Sequence, residues 1–264
     1  MTSRRPLRLF AGYVFDLDGT VYLGDRPLPG AKETVARLRE LGRTVVFLSN
    51  NPLHTREEYA SKLTRLGIPT DPEAVVNSSY VLVRHLRRTA GGARLLVLGE
   101  ESVRRELRSA GLVLTEDPRW ADIVVACFDR TFDYRKLHAA FQAIRRGARF
   151  IATNRDPYCP TPGGGLPDCG AIVAAIETAT GHPLDEVVGK PSAIMAGVIR
   201  ERLGGAAQDS LMVGDRLETD LALAKAAGMA SAIVLTGATD EAALERWPEK
   251  PDFVLEGIAE VLPA

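Results

Sequence analysis

Short apolar runs alternate with amphipathic stretches along almost the whole chain. Tyr13-Val14-Phe15 leads into Asp16-Leu17-Asp18-Gly19-Thr20, and Thr44-Val45-Val46-Phe47-Leu48 leads into Ser49-Asn50-Asn51-Pro52. Between them a helix opens at Gly30-Ala31, carries Val35, Leu38 and Leu41 on one stripe and closes at Gly42. A second starts at Thr55, where Glu58 completes a capping box, turns Tyr59, Leu63 and Leu66 inward and stops at Gly67. Near-continuous apolar strands alternating with helices predict a parallel sheet covered on both faces. The middle of the chain repeats the alternation, with strands at Leu95-Leu96-Val97-Leu98, Ile123-Val124-Val125-Ala126 and Phe150-Ile151-Ala152-Thr153 and helices over 102–110 and 133–146. A long Pro- and Gly-rich loop over 154–170 follows, then a helix through Ile172, Val173 and Ile176. Long structureless loops inside compact domains are uncommon and often functional. The last third returns to short strands: Val187-Val188 before Gly189-Lys190-Pro191, Leu211-Met212-Val213 before Gly214-Asp215, then 231–235 and 253–255.

Composition narrows the function classes. The 264 residues suffice for a substantial core and for two domains, and 45% hydrophobic with 25% charged residues is ordinary for a soluble globular protein. A formal net charge of −1 provides no general field for nucleic acid or an anionic membrane, and the arginine pairs read as solvated helix faces. Cys127, Cys159 and Cys169 make no disulfide framework, and the four histidines have no zinc spacing. With no signal-like or membrane-spanning apolar run, the expected location is the cytoplasm.

The chemistry gathers just past the strands. In extended backbone Asp16 and Asp18 project to the same side, and two such acids repel unless a cation or a proton lies between them. A hard divalent ion, Mg²⁺, suits them. The pair can also divide labour, one carboxylate attacking as nucleophile and the other moving protons. A polar turn after a buried strand has the same appearance, because Asp-Gly is a common turn signal. An EF-hand fits poorly: counting from Asp16 puts Val21 where Gly is needed and Pro27 where Glu is needed. Ligands of open parallel sheets bind beyond the carboxyl ends of the strands. Four strand ends carry suspicious groups: Asp16 and Asp18; Ser49, Asn50 and Asn51; Lys190; and Asp215 with Asp220. Ser49 and backbone N–H groups could supply donors to a phosphoryl group, Lys190 a fixed cation, and Asp16 with Asp215 a metal site.

In this order, Asp16-Leu17-Asp18-Gly19-Thr20, Ser49-Asn50-Asn51, Gly189-Lys190-Pro191 and Gly214-Asp215-Arg216 through Asp220 resemble the four motifs of the haloacid dehalogenase (HAD) phosphatase superfamily. The insert between the second and third motifs, with Asp25-Arg26-Pro27-Leu28-Pro29-Gly30-Ala31 and Ala152-Thr153-Asn154-Arg155-Asp156, resembles subfamily IIA with its C2 cap, the group of NagD-like, para-nitrophenyl, phosphoglycolate and pyridoxal phosphatases. The resemblance implies a doubly wound, Rossmann-like α/β core (1–80 and 185–264) with an inserted smaller α/β cap (81–184). It implies that Asp16 forms an aspartyl-phosphate and that Asp18 protonates the leaving oxygen, then activates water. Ser49, Asn50, Asn51 and Lys190 would orient the phosphate and the nucleophile. Mg²⁺ would sit on the side chains of Asp16 and Asp215 and the backbone carbonyl of Asp18, with Asp220 steadying Lys190 or a metal-bound water.

By the same resemblance the cap touches the leaving group, which makes Asp156, Tyr158, Cys159 and Asp168 the specificity candidates. Related caps often have Gly where Asp168 stands, and an acid pointing inward would disfavour a carboxylated leaving group. Asp168 equally suits a helix cap, and Cys159 an ordinary loop residue. The expected enzyme is a Mg²⁺-dependent phosphomonoesterase acting on a small phosphorylated metabolite, with no nucleic-acid or membrane partner and a homodimer through the cap. Related ion-pump ATPases have Thr at the second acid, and dehalogenases lack it, so Asp18 favours a phosphatase. The alternatives are a phosphotransferase or mutase on a sugar phosphate, whose relatives place the cap after the first motif, and a non-catalytic binding protein on the same fold.

Overall fold

The computed structural model describes residues 5–161 and 164–263. Its main sheet is laid down by β-branched and aromatic runs too apolar to leave either face in water. Among the described residues six strands lie in the order Phe253–Leu255, Ala230–Val234, Ser210–Gly214, Gly12–Asp16, Thr44–Ser49, Val75–Asn77, and every neighbouring pair is parallel. Gly12–Asp16 is central and buried at all its positions, with Phe15 in register with Phe47 on one side and Val213 on the other. The period of two sends Tyr13, Phe15 and Phe47 to one face, against Val35 and Leu38 of helix Ala31–Glu40 and Tyr59 and Leu63 of helix Arg56–Arg65. Val14, Val46 and Met212 go to the other, against Met195 and Ile199 of helix Ala193–Arg202 and Leu223 of helix Ala222–Ala227. The expected capping box is formed: Glu58 N donates to Thr55 Oγ1 at 3.3 Å and Thr55 N to Glu58 Oε2 at 2.8 Å.

A second parallel sheet runs Glu186–Val187, Arg149–Ala152, Ile123–Ala126, Arg94–Leu98, Val113–Leu114. Leu96, Val124 and Phe150 face helices Tyr134–Ile144 and Cys169–Thr180. On the opposite face Leu95, Val97, Val125 and Ile151 join the same apolar cluster as Val14 and Met212. The link is helix Ser78–Thr89, which contributes Val81, Leu82 and Leu86 to that cluster. Its Arg87 and Arg88 lie away from that buried stripe, and it runs through position 81, where the sequence suggests a boundary.

Two expectations are corrected. Glu186–Val187 is an edge strand of the second sheet, paired with Arg149–Ala152, and not a strand of the sheet that carries Asp16. A run of two apolar residues is too short to say which sheet it joins. The stretch expected as an irregular loop over 154–170 contains an antiparallel pair, Tyr158–Thr161 with Gly164–Pro167, and ends in a helix starting at Cys169; residues 162 and 163 of that stretch lie outside the described residues. Pro and Gly, usually strand breakers, sit here in a two-stranded edge where they cost little. Among the described residues no helix is long and apolar enough to cross a membrane.

Candidate active site

Three neighbouring strands of the main sheet end at one edge and deliver Asp16, Ser49 and, just beyond Gly214, Asp215. Lys190 arrives from the second sheet. Val188 N and Gly189 N continue that sheet's edge by donating to Ala152 O at 3.0 Å and Thr153 O at 2.8 Å, which carries the chain across to the main-sheet edge. Gly189 has no alternative there, since a Cβ would stand 2.3 Å from Thr153 O. After Asp215 the backbone forms a π-turn, Leu217–Leu221, which swings Asp220 back under the strand end.

The side chains then interlock. Lys190 Nζ donates to Asp16 Oδ1 and, at 2.7 Å, to Asp220 Oδ1. Asp220 Oδ2 accepts from the amides of Asp215 (3.1 Å) and Arg216 (3.0 Å), so both its oxygens are engaged inside the protein. Asp215 Oδ2 accepts from Ala238 N at 2.6 Å, and Thr239 Oγ1 donates to Asp215 O at 2.6 Å. Lys190 N donates to Asn50 Oδ1 at 2.7 Å, and Asn50 Nδ2 reaches Lys190 O at 3.3 Å, so Asn50 clamps the lysine's backbone. Ser49 Oγ accepts from Asn51 N at 3.1 Å and donates to Tyr59 Oη at 3.3 Å. Asp18 stands outside the lysine cluster, its Oδ2 3.5 Å from the hydroxyl of Tyr22.

Electrostatics explain what this cluster requires. Asp16, Asp215 and Asp220 can each bring a carboxylate oxygen within 4.8 Å of the others, all buried. With all three ionised, one lysine against three carboxylates leaves two negative charges uncompensated by it. Burial accordingly pushes Asp16 well above the ordinary carboxylate range; Lys190 opposes the shift while Asp220 and Asp215 add to it. Burial, with Asp220 beside it, raises Asp215 to about 6. Burial alone would lower Lys190, but Asp16 and Asp220 outweigh it and hold the ammonium firmly charged. Burial also raises Asp18, with Lys62 opposing, which favours the protonated acid. A hard divalent cation fits the cluster: its donors are all oxygens and the charge deficit is two. Gly19 and Gly237 keep the space beside Asp215 open, since a Cβ on either would lie 2.6 Å and 2.0 Å from Asp215 Oδ2.

The four specificity candidates all reach this site, each differently. Asp156 Oδ2 accepts from Asn50 Nδ2 at 3.0 Å and Asn154 Nδ2 at 3.1 Å, tying the second unit to the first. Cys159 Sγ lies 3.8 Å from Asn51 Nδ2, and burial with Asp18 nearby pushes its thiol up to about 12. Tyr158 is half-exposed, with the Arg216 guanidinium 4.9 Å from its ring centre and donating to its carbonyl at 3.1 Å. Asp168 is buried; its Oδ1 takes Asn154 Nδ2 at 3.1 Å and the amide of Cys169, capping the helix that begins there. Burial raises its carboxyl to about 7. Asp156, Tyr158, Cys159 and Asp168 share one small chamber, about 50 Å³, with the motif residues.

A haloacid dehalogenase-like hydrolase model matches residues 13–113, and a second, HAD-hydrolase-like, matches residues 187–261. The sugar-phosphatase AraL of Bacillus subtilis is 39% identical over 95% of this chain and 92% of its own. The chain belongs to the HAD superfamily. It is a HAD-type phosphatase of subfamily IIA. The 5′-nucleotidase YutF of Bacillus subtilis is 34% identical over 97% of this chain and 99% of its own. The crystal structure of a 4-nitrophenylphosphatase from Thermotoga maritima superposes with a TM-score of 0.91 at 38% identity, covering 97% of each chain.

Sequence reasoning about this HAD chain missed several groups that the fold brings in. Arg216 belongs to the fourth motif but was not a candidate, because nothing in a sequence says that it lies over Tyr158. Asn154 ties Asp156 to Asp168 from a position that reads as loop. Gly237 and Thr239 support Asp215 from the next strand's end, where one Gly among 24 gives no signal.

Proposed function

We propose that this HAD phosphatase is a Mg²⁺-dependent phosphomonoesterase that works through an aspartyl-phosphate on Asp16 and acts on a small phosphorylated metabolite. The observation that carries the reading is the Lys190 bridge between Asp16 and Asp220, with Asp215 beside it, at the carboxyl edge of the central strands. Asp16, Asp215 and the backbone carbonyl of Asp18 would hold the ion, which supplies positive charge that lets an anionic phosphoryl group approach an anionic nucleophile. Asp220 is the residue that positions Lys190, since its other oxygen is taken by two amides.

Asp16 attacks phosphorus as the bond to the leaving oxygen breaks, and Asp18 gives that oxygen its proton. Water then attacks the same phosphorus, Asp18 takes the water's proton, and Asp16 departs as carboxylate, releasing inorganic phosphate. The raised Asp18 suits the first proton transfer. Ser49, Asn50 and Asn51 position the phosphate and the lysine backbone. The unit around residues 81–184 acts as the cap and carries Asp156, Tyr158, Cys159 and Asp168 to the leaving group.

The relatives named above suggest which substrates to try first: sugar phosphates, then nucleoside monophosphates and 4-nitrophenyl phosphate. The test is phosphate release from such a panel, with Mg²⁺ or with EDTA, beside Asp16→Asn. Release that needs the ion and disappears in the variant is expected. Equal release in EDTA, or from the variant, would overturn the reading.

A further inference from the structure

We propose that the leaving group of this enzyme's substrate carries a second anionic group, a phosphate or a carboxylate, bound in a cavity beside the catalytic chamber. The inference rests on the phosphomonoesterase reading and adds the substrate class. The chamber holding Asp16, Asp18 and Asp215 has room for about 50 Å³. At about 10–15 Å³ per water-sized occupant, that is on the order of four atoms, a phosphoryl group and little else. With the two units packed as they are, the chamber itself offers little room for the rest of a substrate, and the larger space lies next to it.

A cavity of about 540 Å³ shares its wall with the chamber through Asp156, Tyr158, Lys190, Arg216 and Thr219. That volume suits a sugar- or nucleoside-sized group. Thr219 is buried at this shared wall, and its hydroxyl has no hydrogen-bond partner among the described residues. The lining includes four cations, Arg155, Arg216, Arg246 and Lys190, against two carboxylates, Asp156 and Glu218. Asp156 is already engaged by Asn50 and Asn154, and Lys190 by Asp16 and Asp220. Arg155 pairs with Glu177 at 2.9 Å. Arg246 is exposed and in no ion pair among the described residues. It and Trp247, at the end of helix Glu241–Arg246, form the far wall. A guanidinium fork can donate two parallel hydrogen bonds to a pair of phosphate or carboxylate oxygens, and Trp247 and Tyr158 offer apolar faces for the body of the leaving group. Asp168, whose charge would oppose such a ligand, lines the small chamber and is turned to its helix cap, not to this cavity.

The test compares three probes at saturating Mg²⁺: phenyl phosphate, 4-carboxyphenyl phosphate and 4-(phosphonomethyl)phenyl phosphate, with wild type, Arg246→Ala and Arg246→Glu. One charge-assisted contact corresponds to a change of about tenfold or more in KM. Expected is a KM at least about tenfold lower for an anionic probe than for phenyl phosphate, a gap that shrinks in Arg246→Ala and reverses in Arg246→Glu. An advantage confined to the phosphonate assigns the site to a second phosphate; an advantage for both assigns it to anions generally. Equal KM values in wild type, or a gap indifferent to Arg246, would overturn the inference while leaving phosphatase activity intact. Absence of Asp16-dependent release from all three would instead overturn the phosphatase reading and this inference with it.

Discussion

Replacing Lys190 by Met isolates the cluster's electrostatics. The ammonium is buried and 2.7 Å from Asp220 Oδ1, with Asp16 on its other side. At an effective dielectric of about 20, one pair at that distance attracts by roughly 6 kcal/mol before desolvation. Removing the lysine also removes its own desolvation cost, so the net is smaller. Truncating one partner of a buried pair costs about 3–5 kcal/mol, because the other charge is left alone. At about 2–4 °C per kcal/mol for a chain of this size, Tm in EDTA should fall by roughly 6–20 °C. The assay is thermal and urea unfolding followed by circular dichroism, in EDTA, for wild type, Lys190→Met, Asp220→Asn and the double variant. Asp220→Asn should destabilise the wild-type background and cost far less in Lys190→Met, since there it removes a repelling carboxylate. A Lys190→Met protein as stable as wild type, or Asp220→Asn costing the same in both backgrounds, would refute the reasoning.

Asp18→Asn should form the phosphoenzyme from an activated substrate yet fail to hydrolyse it, giving a burst of 4-nitrophenolate near one equivalent and a steady rate at least about 100-fold lower; wild-type steady turnover would count against Asp18 as the acid and base. Gly237→Ala should keep the fold by circular dichroism while raising the Mg²⁺ concentration needed for half-maximal activity, because its Cβ would lie 2.0 Å from Asp215 Oδ2; an unchanged Mg²⁺ titration would show that Asp215 does not need that space. Asp168, raised by burial to about 7, contributes stability that is full below the ordinary carboxylate range and is lost as pH rises through about 7. Asp168→Asn should therefore flatten the fall in urea midpoint between about pH 4 and pH 7, and an identical slope in wild type and variant would rule that contribution out.

What was legible in the sequence followed from the range of the forces involved. Strands such as Tyr13-Val14-Phe15 and helices with their own caps, such as the one opened by Thr55 and Glu58, are fixed by neighbours within a turn or two. The motif residues were legible because each lies just past such an element. Lys190 was found for a partly mistaken reason: it follows an edge strand of the second sheet, and register over two residues cannot be read without its partner. Arg87 and Arg88 do lie on a helix, Ser78–Thr89, but its packing between the two sheets through Val81, Leu82 and Leu86 depends on partners distant in sequence. Arg216 over Tyr158 and Asn50 on Asp156 are contacts across units more than fifty positions apart, and only the packing of the two sheets creates them.

The central claim, that Asp16 is the nucleophile, is tested most directly by trapping what it forms. Asp18→Asn protein mixed with 4-nitrophenyl phosphate and Mg²⁺ is quenched in acid, digested and mapped by mass spectrometry. The account predicts one added phosphoryl group, on the peptide containing Asp16, and none when Asp16→Asn is introduced as well. Phosphate found on another residue, or none at all from a variant that still releases 4-nitrophenolate, would contradict it.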